Sequence, residues 1–147
     1  MTEFQNRLKE FMDDKELSNL QLSKMLGISS SAVDAYFCKD LYPEMKTAIK
    51  LCKMFDCSMD YLFGLSDENE PKYDFEKVDI RGNFVANVEK LLERKNISKA
   101  KFAKQVGMSE HTFYRWKNGD FPRTVSIVNV AKYLDISIDF LLADKLN

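Results

Sequence analysis

The chain has 147 residues, of which 45% are hydrophobic and 31% are charged, and its formal net charge at pH 7 is −1. This length allows one domain or two small domains near the lower size limit. No apolar run reaches the roughly 18 residues that a membrane-spanning helix requires, and Met1–Lys15 lacks the basic start and apolar centre of a signal peptide. We therefore expect a cytoplasmic protein that does not act at a membrane.

The charge is unevenly distributed along the chain. Residues 1–67 carry 8 basic and 11 acidic side chains (net −3), residues 68–83 carry 3 and 5 (net −2), and residues 84–147 carry 11 and 7 (net +4). Binding to DNA depends largely on neutralising phosphates and releasing their counterions. By that criterion the C-terminal part suits DNA much better than the N-terminal part.

A repeat divides the sequence into two similar copies. Asn19–Pro43 is similar to Lys99–Pro122, at an offset of 80 residues where these segments begin and 79 where they end. The first copy therefore holds one extra residue, which we assign to the loop after its third helix. The repeat predicts an N-terminal domain at 1–65, a linker at 66–80 and a C-terminal domain at 81–147.

Five helices are predicted in the N-terminal copy. Its first helix follows from apolar residues at helical spacing, namely Phe4, Leu8, Phe11 and Met12. Ser18 and Gln21 have the spacing of a capping box at the start of the second helix. Three further helices are expected at about 30–37, 45–55 and 59–63.

The linker changes character along its length. It begins acidic and contains Pro71, as is typical of a connecting segment. Its second half is too apolar for a free tether, because it holds Tyr73, Phe75, Val78 and Ile80. We expect this half to pack on one or both domains, with an extended, strand-like conformation as one option.

The C-terminal copy also predicts five helices, at about 81–95, 99–106, 110–117, 124–134 and 138–142. Ser98 and Ser109 are expected to cap the second and third of these, and Gly107 to end the second. Phe113 and Trp116 have the spacing of inward-facing residues in the third helix. All ten predicted elements are helices, so the predicted fold class is all-α.

Metal-dependent or catalytic chemistry is not expected. The three cysteines are odd in number and confined to the first copy, which favours reduced thiols over a disulfide framework, with Cys52 in a core. The only histidine, His111, lies far from all three cysteines, so no zinc-ligand spacing occurs. We expect no cofactor and no enzymatic activity, since no residues form a recognisable set of nucleophile, base and orienting group.

One pattern of residues runs through the whole C-terminal copy. It consists of Ser98, Phe102, Ala103, Val106, Gly107, Ser109, Phe113, Asn118, Gly119, Pro122, Leu134, Ser137, Leu141 and Leu142. This pattern resembles that of the five-helix Cro/C1/Xre family of helix-turn-helix domains, which are lambda-repressor-like. The resemblance covers about 60 residues in each copy, so it implies two tandem domains of this kind that bind double-stranded DNA. It also implies that the third helix lies in the major groove and that the second bridges to the backbone.

The chemistry of the exposed side chains in the C-terminal copy fits this role. Arg115 can grip a guanine through two hydrogen bonds, and Glu110 can accept one from a cytosine amino group. Candidate contacts to bases are Glu110, His111, Thr112, Tyr114 and Arg115. Candidate contacts to phosphates are Ser98, Lys99, Lys104, Ser109, Lys117, Asn118 and Arg123.

The N-terminal copy differs from this pattern at positions that are expected to contact DNA. Ala35 stands where the other copy has Arg115, and Asp34 would face a phosphate-rich surface. Candidates for weaker DNA contacts are Asn19, Lys24, Ser29, Ser30, Ser31 and Asp34. A candidate partner surface comprises Phe37, Leu41 and Tyr42.

Two functional hypotheses follow. The first is a sequence-specific DNA-binding transcriptional regulator, acting as a repressor and as a homodimer that uses the C-terminal copy of each chain. The second is a protein-interaction module, antitoxin-like or anti-repressor, that binds a regulatory protein partner through the N-terminal copy.

Overall fold

The computed structural model describes residues 1–147, which divide into two compact units, Met1–Lys72 (unit 1) and Tyr73–Asn147 (unit 2). Each unit contains five α helices, and the structure has no strand, which confirms the predicted all-α fold. No helix is both long enough and apolar enough to cross a membrane.

Unit 1 follows the predicted order of helices, and the ends of its last three helices differ from the predicted bounds by no more than one residue. Ser18 accepts from the backbone N–H of Gln21, whose side chain accepts from the backbone of Ser18, so the predicted capping box is confirmed. A second capping box, between Thr2 and Gln5, starts the first helix. The helices are α1 (Glu3–Asp14), α2 (Asn19–Leu26), α3 (Ser30–Cys38), α4 (Met45–Phe55) and α5 (Met59–Leu62).

Aromatic and aliphatic side chains from all five helices form the core of unit 1. The ring of Phe4 lies 5.9 Å from Tyr36, 5.7 Å from Tyr42 and 5.4 Å from Phe63, measured between centroids. Cys52 is buried as expected, and none of the three cysteines forms a disulfide. The fully buried aliphatic residues include Leu8, Leu22, Leu26, Val33, Leu51 and Leu62.

Unit 2 repeats the same arrangement with a different entry segment. Phe75–Lys77 forms one turn of 3-10 helix and Phe75 is buried, so the strand-like option for the linker is wrong. The Tyr73 hydroxyl lies 3.2 Å from Asp144 Oδ2, which ties this segment to the end of the unit. The helices are α6 (Ile80–Arg94), α7 (Lys99–Val106), α8 (Glu110–Lys117), α9 (Thr124–Leu134) and α10 (Ile138–Ala143).

The extra residue of unit 1 does not lie in the loop, and that assignment was wrong. Matching residues are offset by 80 at the starts of α3 and α8, but by 79 at their ends. The helix α3 therefore has nine residues and α8 has eight. The insertion therefore lengthens the third helix of unit 1 by one residue at its C-terminal end.

Two buried asparagines fix α10 against α6 in unit 2. Asn83 Nδ2 donates to Leu142 O at 3.0 Å, and Asn87 Nδ2 donates to Leu141 O at 3.0 Å and to Asp144 O at 2.8 Å. The carbonyls at the end of a helix have no partners within the helix, so these amides satisfy groups that burial would otherwise leave unpaired. These hydrogen bonds therefore hold α6 against the C-terminal end of α10.

Candidate nucleic-acid interface

The turn between α7 and α8 sets the geometry of the candidate interface. Ser98 caps α7 by accepting from Lys101 N at 3.1 Å, and Gly107 ends it with φ of +74°. A side chain at that φ would be strained, whereas glycine adopts it readily. The rings of Phe102 and Phe113 lie 5.8 Å apart in an edge-to-face arrangement, so one face of each helix is committed to the core.

The buried side of α8 confirms the predicted inward spacing. Phe113 and Trp116 are 1% and 3% exposed, and their ring centroids lie 5.9 Å apart. Trp116 also packs edge-to-face on Phe84 of α6 at 5.4 Å. Because these rings anchor one side of the helix, the other side points to solvent. Of its predicted contact residues, Thr112 is half-buried and the others are exposed, namely Glu110, His111, Tyr114, Arg115 and Lys117.

Ser109 does not cap α8 with its side chain, and that prediction was wrong. The residue stands at the N-cap position with extended backbone angles, but its hydroxyl accepts no backbone N–H. Its Oγ instead lies 3.2 Å from Thr112 Oγ1, which accepts from Arg115 Nη2 at 3.4 Å. The first turn of α8 therefore keeps backbone donors that no side chain satisfies, as an anion-binding helix terminus requires.

Two lysines, a glutamate and the ring of Tyr114 form a cluster beside the exposed side of α8. Lys117 Nζ is 2.6 Å from Glu89 Oε1 on α6, and it lies 5.9 Å from the centroid of the Tyr114 ring. Lys99 Nζ of α7 lies 5.4 Å from the same ring. The hydrogen bond to Glu89, with its negative charge, raises the pKa of Lys117 above its ordinary value. Lys117 therefore carries its positive charge throughout the neutral pH range.

The remaining predicted phosphate contacts also lie at the surface of unit 2. Ser98, Lys99 and Lys104 are exposed at α7, and Asn118 and Arg123 are exposed in the loop after α8. The segment 94–123 holds 8 basic and 2 acidic residues, and all eight basic side chains are exposed. This concentration of positive charge suits a polyanion.

The matching surface of unit 1 has different chemistry. Asn19 Nδ2 donates to Asp34 Oδ1 at 2.8 Å, so these two candidates for weaker DNA contacts bind each other. Lys24, Ser29 and Ser31 are exposed. Ser30, at the start of α3, is half-buried.

Apolar side chains are exposed on unit 1 instead. Leu20 and Met25 on α2 are 54% and 53% exposed, whereas unit 2 has Ala100 and Gln105 at those positions. Within the candidate partner surface, Leu41 is exposed and Phe37 is half-buried. Tyr42 packs inward, with its ring 5.1 Å from that of Phe63.

Sequence reasoning missed three residues near α8. Arg81 Nη1 donates to the carbonyl of Trp116 at 2.6 Å, which caps the end of the helix from α6. Glu89 pairs with Lys117, and Phe121 in the following loop is 51% exposed. Periodicity could mark Arg81 and Glu89 as surface residues of α6, but not reveal which group each contacts.

Comparisons with known proteins agree with this geometry. A family model described as the Cro/C1-type HTH DNA-binding domain matches residues 7–68 and 87–144. The chain is also 30% identical over 66 residues to an uncharacterized HTH-type transcriptional regulator, YobD, of Bacillus subtilis (strain 168). That alignment covers 45% of this chain and 59% of the relative. No solved structure matches the chain.

Proposed function

The chain belongs to the family of Cro/C1-type helix-turn-helix DNA-binding domains, and on this premise we propose that it is a sequence-specific transcriptional repressor. In this proposal unit 2 reads the major groove with α8. The observation that supports it most directly is the exposed side of α8, where Arg115 belongs to a segment, 94–123, whose eight basic side chains are all exposed. The regulatory name of the Bacillus subtilis relative supports the same class of function.

The dimensions of α8 suit the major groove. An α helix with its side chains is about 10–12 Å across, and the major groove is about 12 Å wide. Each base pair presents a distinct pattern of donors and acceptors there, so a few side chains at the start of a helix can select a sequence. Glu110, His111 and Thr112 lie in the first turn of α8, and Tyr114 and Arg115 follow one turn later.

Arg115 is the principal reader in this proposal. Its guanidinium donates one hydrogen bond, to the Thr112 hydroxyl, which is long at 3.4 Å, and it forms no salt bridge with a carboxylate. The guanidinium is therefore available to donate two hydrogen bonds to O6 and N7 of a guanine. Glu110 would accept from a cytosine amino group, and Tyr114 would pack against a thymine methyl or a phosphate.

Phosphate contacts would supply most of the affinity. We assign them to Lys99 and Lys104 on α7, to Lys117 and Asn118 at the end of α8, and to Arg123. Backbone donors following Ser98 and Ser109 would add contacts at the two helix N-termini. Each neutralised phosphate contributes about 0.9 to the slope of log affinity against log salt concentration.

We further propose that the protein works as a homodimer in which unit 2 of each chain reads one half-site. Helix-turn-helix dimers bind half-sites about one helical turn apart, or about 34 Å. The exposed surface of unit 1 favours unequal roles for the two units, because Ala35 replaces the arginine and Asp34 binds Asn19. Any DNA contact through Lys24, Ser29, Ser30 or Ser31 would be weaker.

Selection of randomised duplex DNA by the purified full chain tests this proposal. An enriched palindrome, bound with strong salt dependence, is the expected result and would support a dimer that uses unit 2 twice. Two unrelated half-sites within one enriched sequence would instead mean that both units read DNA. No enriched sequence, with weak and salt-sensitive binding only, would contradict sequence-specific reading.

A second candidate function rests on the exposed apolar side chains of unit 1. Leu20, Met25 and Leu41 are each more than half exposed. Such side chains favour a protein partner over a phosphate backbone. If unit 1 binds a protein, Leu20→Gln combined with Met25→Gln should abolish that association in analytical ultracentrifugation, whereas Arg115→Ala should leave it intact.

A further inference from the structure

We propose that Glu89 is a positioning residue for DNA reading, which holds Lys117 and through it orients the Tyr114 ring on α8. The inference rests on the proposed function of unit 2. It concerns a carboxylate on α6, outside the helix-turn-helix segment formed by α7 and α8. It assigns a role in base selection to a residue whose charge alone would oppose DNA.

The contact between Glu89 and Lys117 can hold the Lys117 side chain in one position. Its two charged atoms lie 2.6 Å apart, and the two side chains are only 40% and 32% exposed. The pair joins two helices that are distant in sequence, α6 and the last residue of α8. A surface ion pair of this kind contributes little to stability, so stability alone does not account for its position beside the candidate interface.

Lys117 in turn constrains Tyr114. The ammonium of Lys117 lies 5.9 Å from the ring centroid, and that of Lys99 lies 5.4 Å from it. Both distances fall within the range of cation–π attraction. The ring is 51% exposed and has no other ring contact, so these two cations are its principal orienting neighbours. If the carboxylate were absent, Lys117 would be free to leave the ring.

The backbone beneath this cluster is fixed independently. Arg81, two turns before Glu89 on α6, donates to the carbonyl of Trp116 at 2.6 Å. Trp116 itself is buried against Phe84. Loss of Glu89 should therefore release the side chains of Lys117 and Tyr114 without displacing α8.

Unit 1 provides an internal comparison, because it has the same fold and lacks the whole cluster. The positions of Glu89, Lys99, Tyr114 and Lys117 are occupied there by Lys9, Asn19, Asp34 and Phe37. Asn19 binds Asp34, so that unit pairs a polar side chain where unit 2 presents an aromatic ring. All four members are thus found only in the unit that carries the arginine on its third helix.

Two physical roles for Glu89 predict opposite results on mutation. A carboxylate that only repels phosphate would, when neutralised, allow tighter binding to every DNA sequence alike. A positioning carboxylate would, when neutralised, lower the preference for the selected site over a site altered at the base that depends on Tyr114. That base is identified as the position where Tyr114→Ala alone flattens the selected profile.

The experiment compares Glu89→Gln with the matched control Glu93→Gln in the full chain. Glu93 lies one turn later on α6 and is exposed, so its change removes the same charge from the same helix. Glu89→Gln should reduce the preference at that base by about 3- to 30-fold, and Glu93→Gln should leave it unchanged. On a Tyr114→Ala background, Glu89→Gln should have no further effect.

Folding and ring geometry are measured separately. Unfolding monitored by the fluorescence of Trp116 should be unchanged in Glu89→Gln, and the NMR ring-current shift of the Lys117 side-chain methylenes should be reduced. A profile that stays the same, or uniformly tighter binding, would overturn the positioning role and leave the proposed function standing. If the unmodified protein selects no sequence at all, the proposed function and this inference both fail.

Discussion

Replacing Arg115 by alanine should weaken binding of the full chain to its selected DNA site by about 5- to 150-fold. A good bidentate contact between arginine and guanine contributes about 1–3 kcal/mol of discrimination, and each 1.4 kcal/mol corresponds to a factor of ten. The side chain is exposed, and its one hydrogen bond is the 3.4 Å contact to Thr112. Its loss should therefore alter the free energy of unfolding by no more than about 0.5 kcal/mol.

Fluorescence anisotropy with a labelled duplex would measure this change at several salt concentrations, alongside Arg115→Lys. The lysine variant keeps the charge but loses the planar fork that matches two acceptors. Both variants should lose preference for one base. If the guanidinium also touches a phosphate, only the alanine variant should lower the slope of log affinity against log salt concentration, because only it removes the charge.

Lys145→Ala serves as the control, since it removes one positive charge from an exposed position at the end of unit 2. It should leave the base preference intact. The reasoning would be refuted if Arg115→Ala kept both the affinity, within twofold, and the base preference of the unmodified protein. In that case α8 of unit 2 would not be the reading element.

Three further predictions follow from the structure. Phe113→Ala should destabilise unit 2 by about 3–5 kcal/mol, because its buried ring packs on Phe102 and Trp116; denaturant unfolding followed by the single tryptophan measures this, and a change below about 1 kcal/mol would contradict the packing. Gly107→Ala should cost about 1–2 kcal/mol in the same assay, because φ is +74° and nothing lies within 4 Å of an added Cβ, so backbone strain alone contributes; an unchanged unfolding midpoint would contradict that account. Lys104→Gln should weaken binding to all sequences equally and lower the salt slope by about 1, and an altered base preference would mean that it contacts a base instead.

The helices themselves were predictable because their signals are local. Apolar residues three and four apart mark the buried side of each helix, and serine or glycine at the ends supplies or permits the terminal geometry. The capping box of Ser18 and Gln21 and the helix end at Gly107 follow from residues a few positions apart. These features can be predicted without knowing which residues from distant parts of the chain lie nearby.

Placement of the extra residue of unit 1 was less accessible. Aligning the two copies shows that unit 1 has one extra residue between the start of its third helix and the loop that follows. It does not fix whether a helix or a loop absorbs it, because both have compatible sequences there. In unit 1 the amide of Gln5 also donates to the Phe37 carbonyl and to Asp40 Oδ1, contacts at the end of α3 that come from a residue distant in sequence.

The sequence by itself therefore determined that this protein consists of two five-helix units, and that the basic one presents a charged third helix. Only the tertiary structure decided which groups those exposed side chains contact: Lys117 binds Glu89, the Ser109 hydroxyl lies beside Thr112, and Arg81 caps α8. The physical reason is that a helical period separates inward from outward residues within one element. Which outward side chains meet depends on how different helices pack, and hence on residues far apart in the chain.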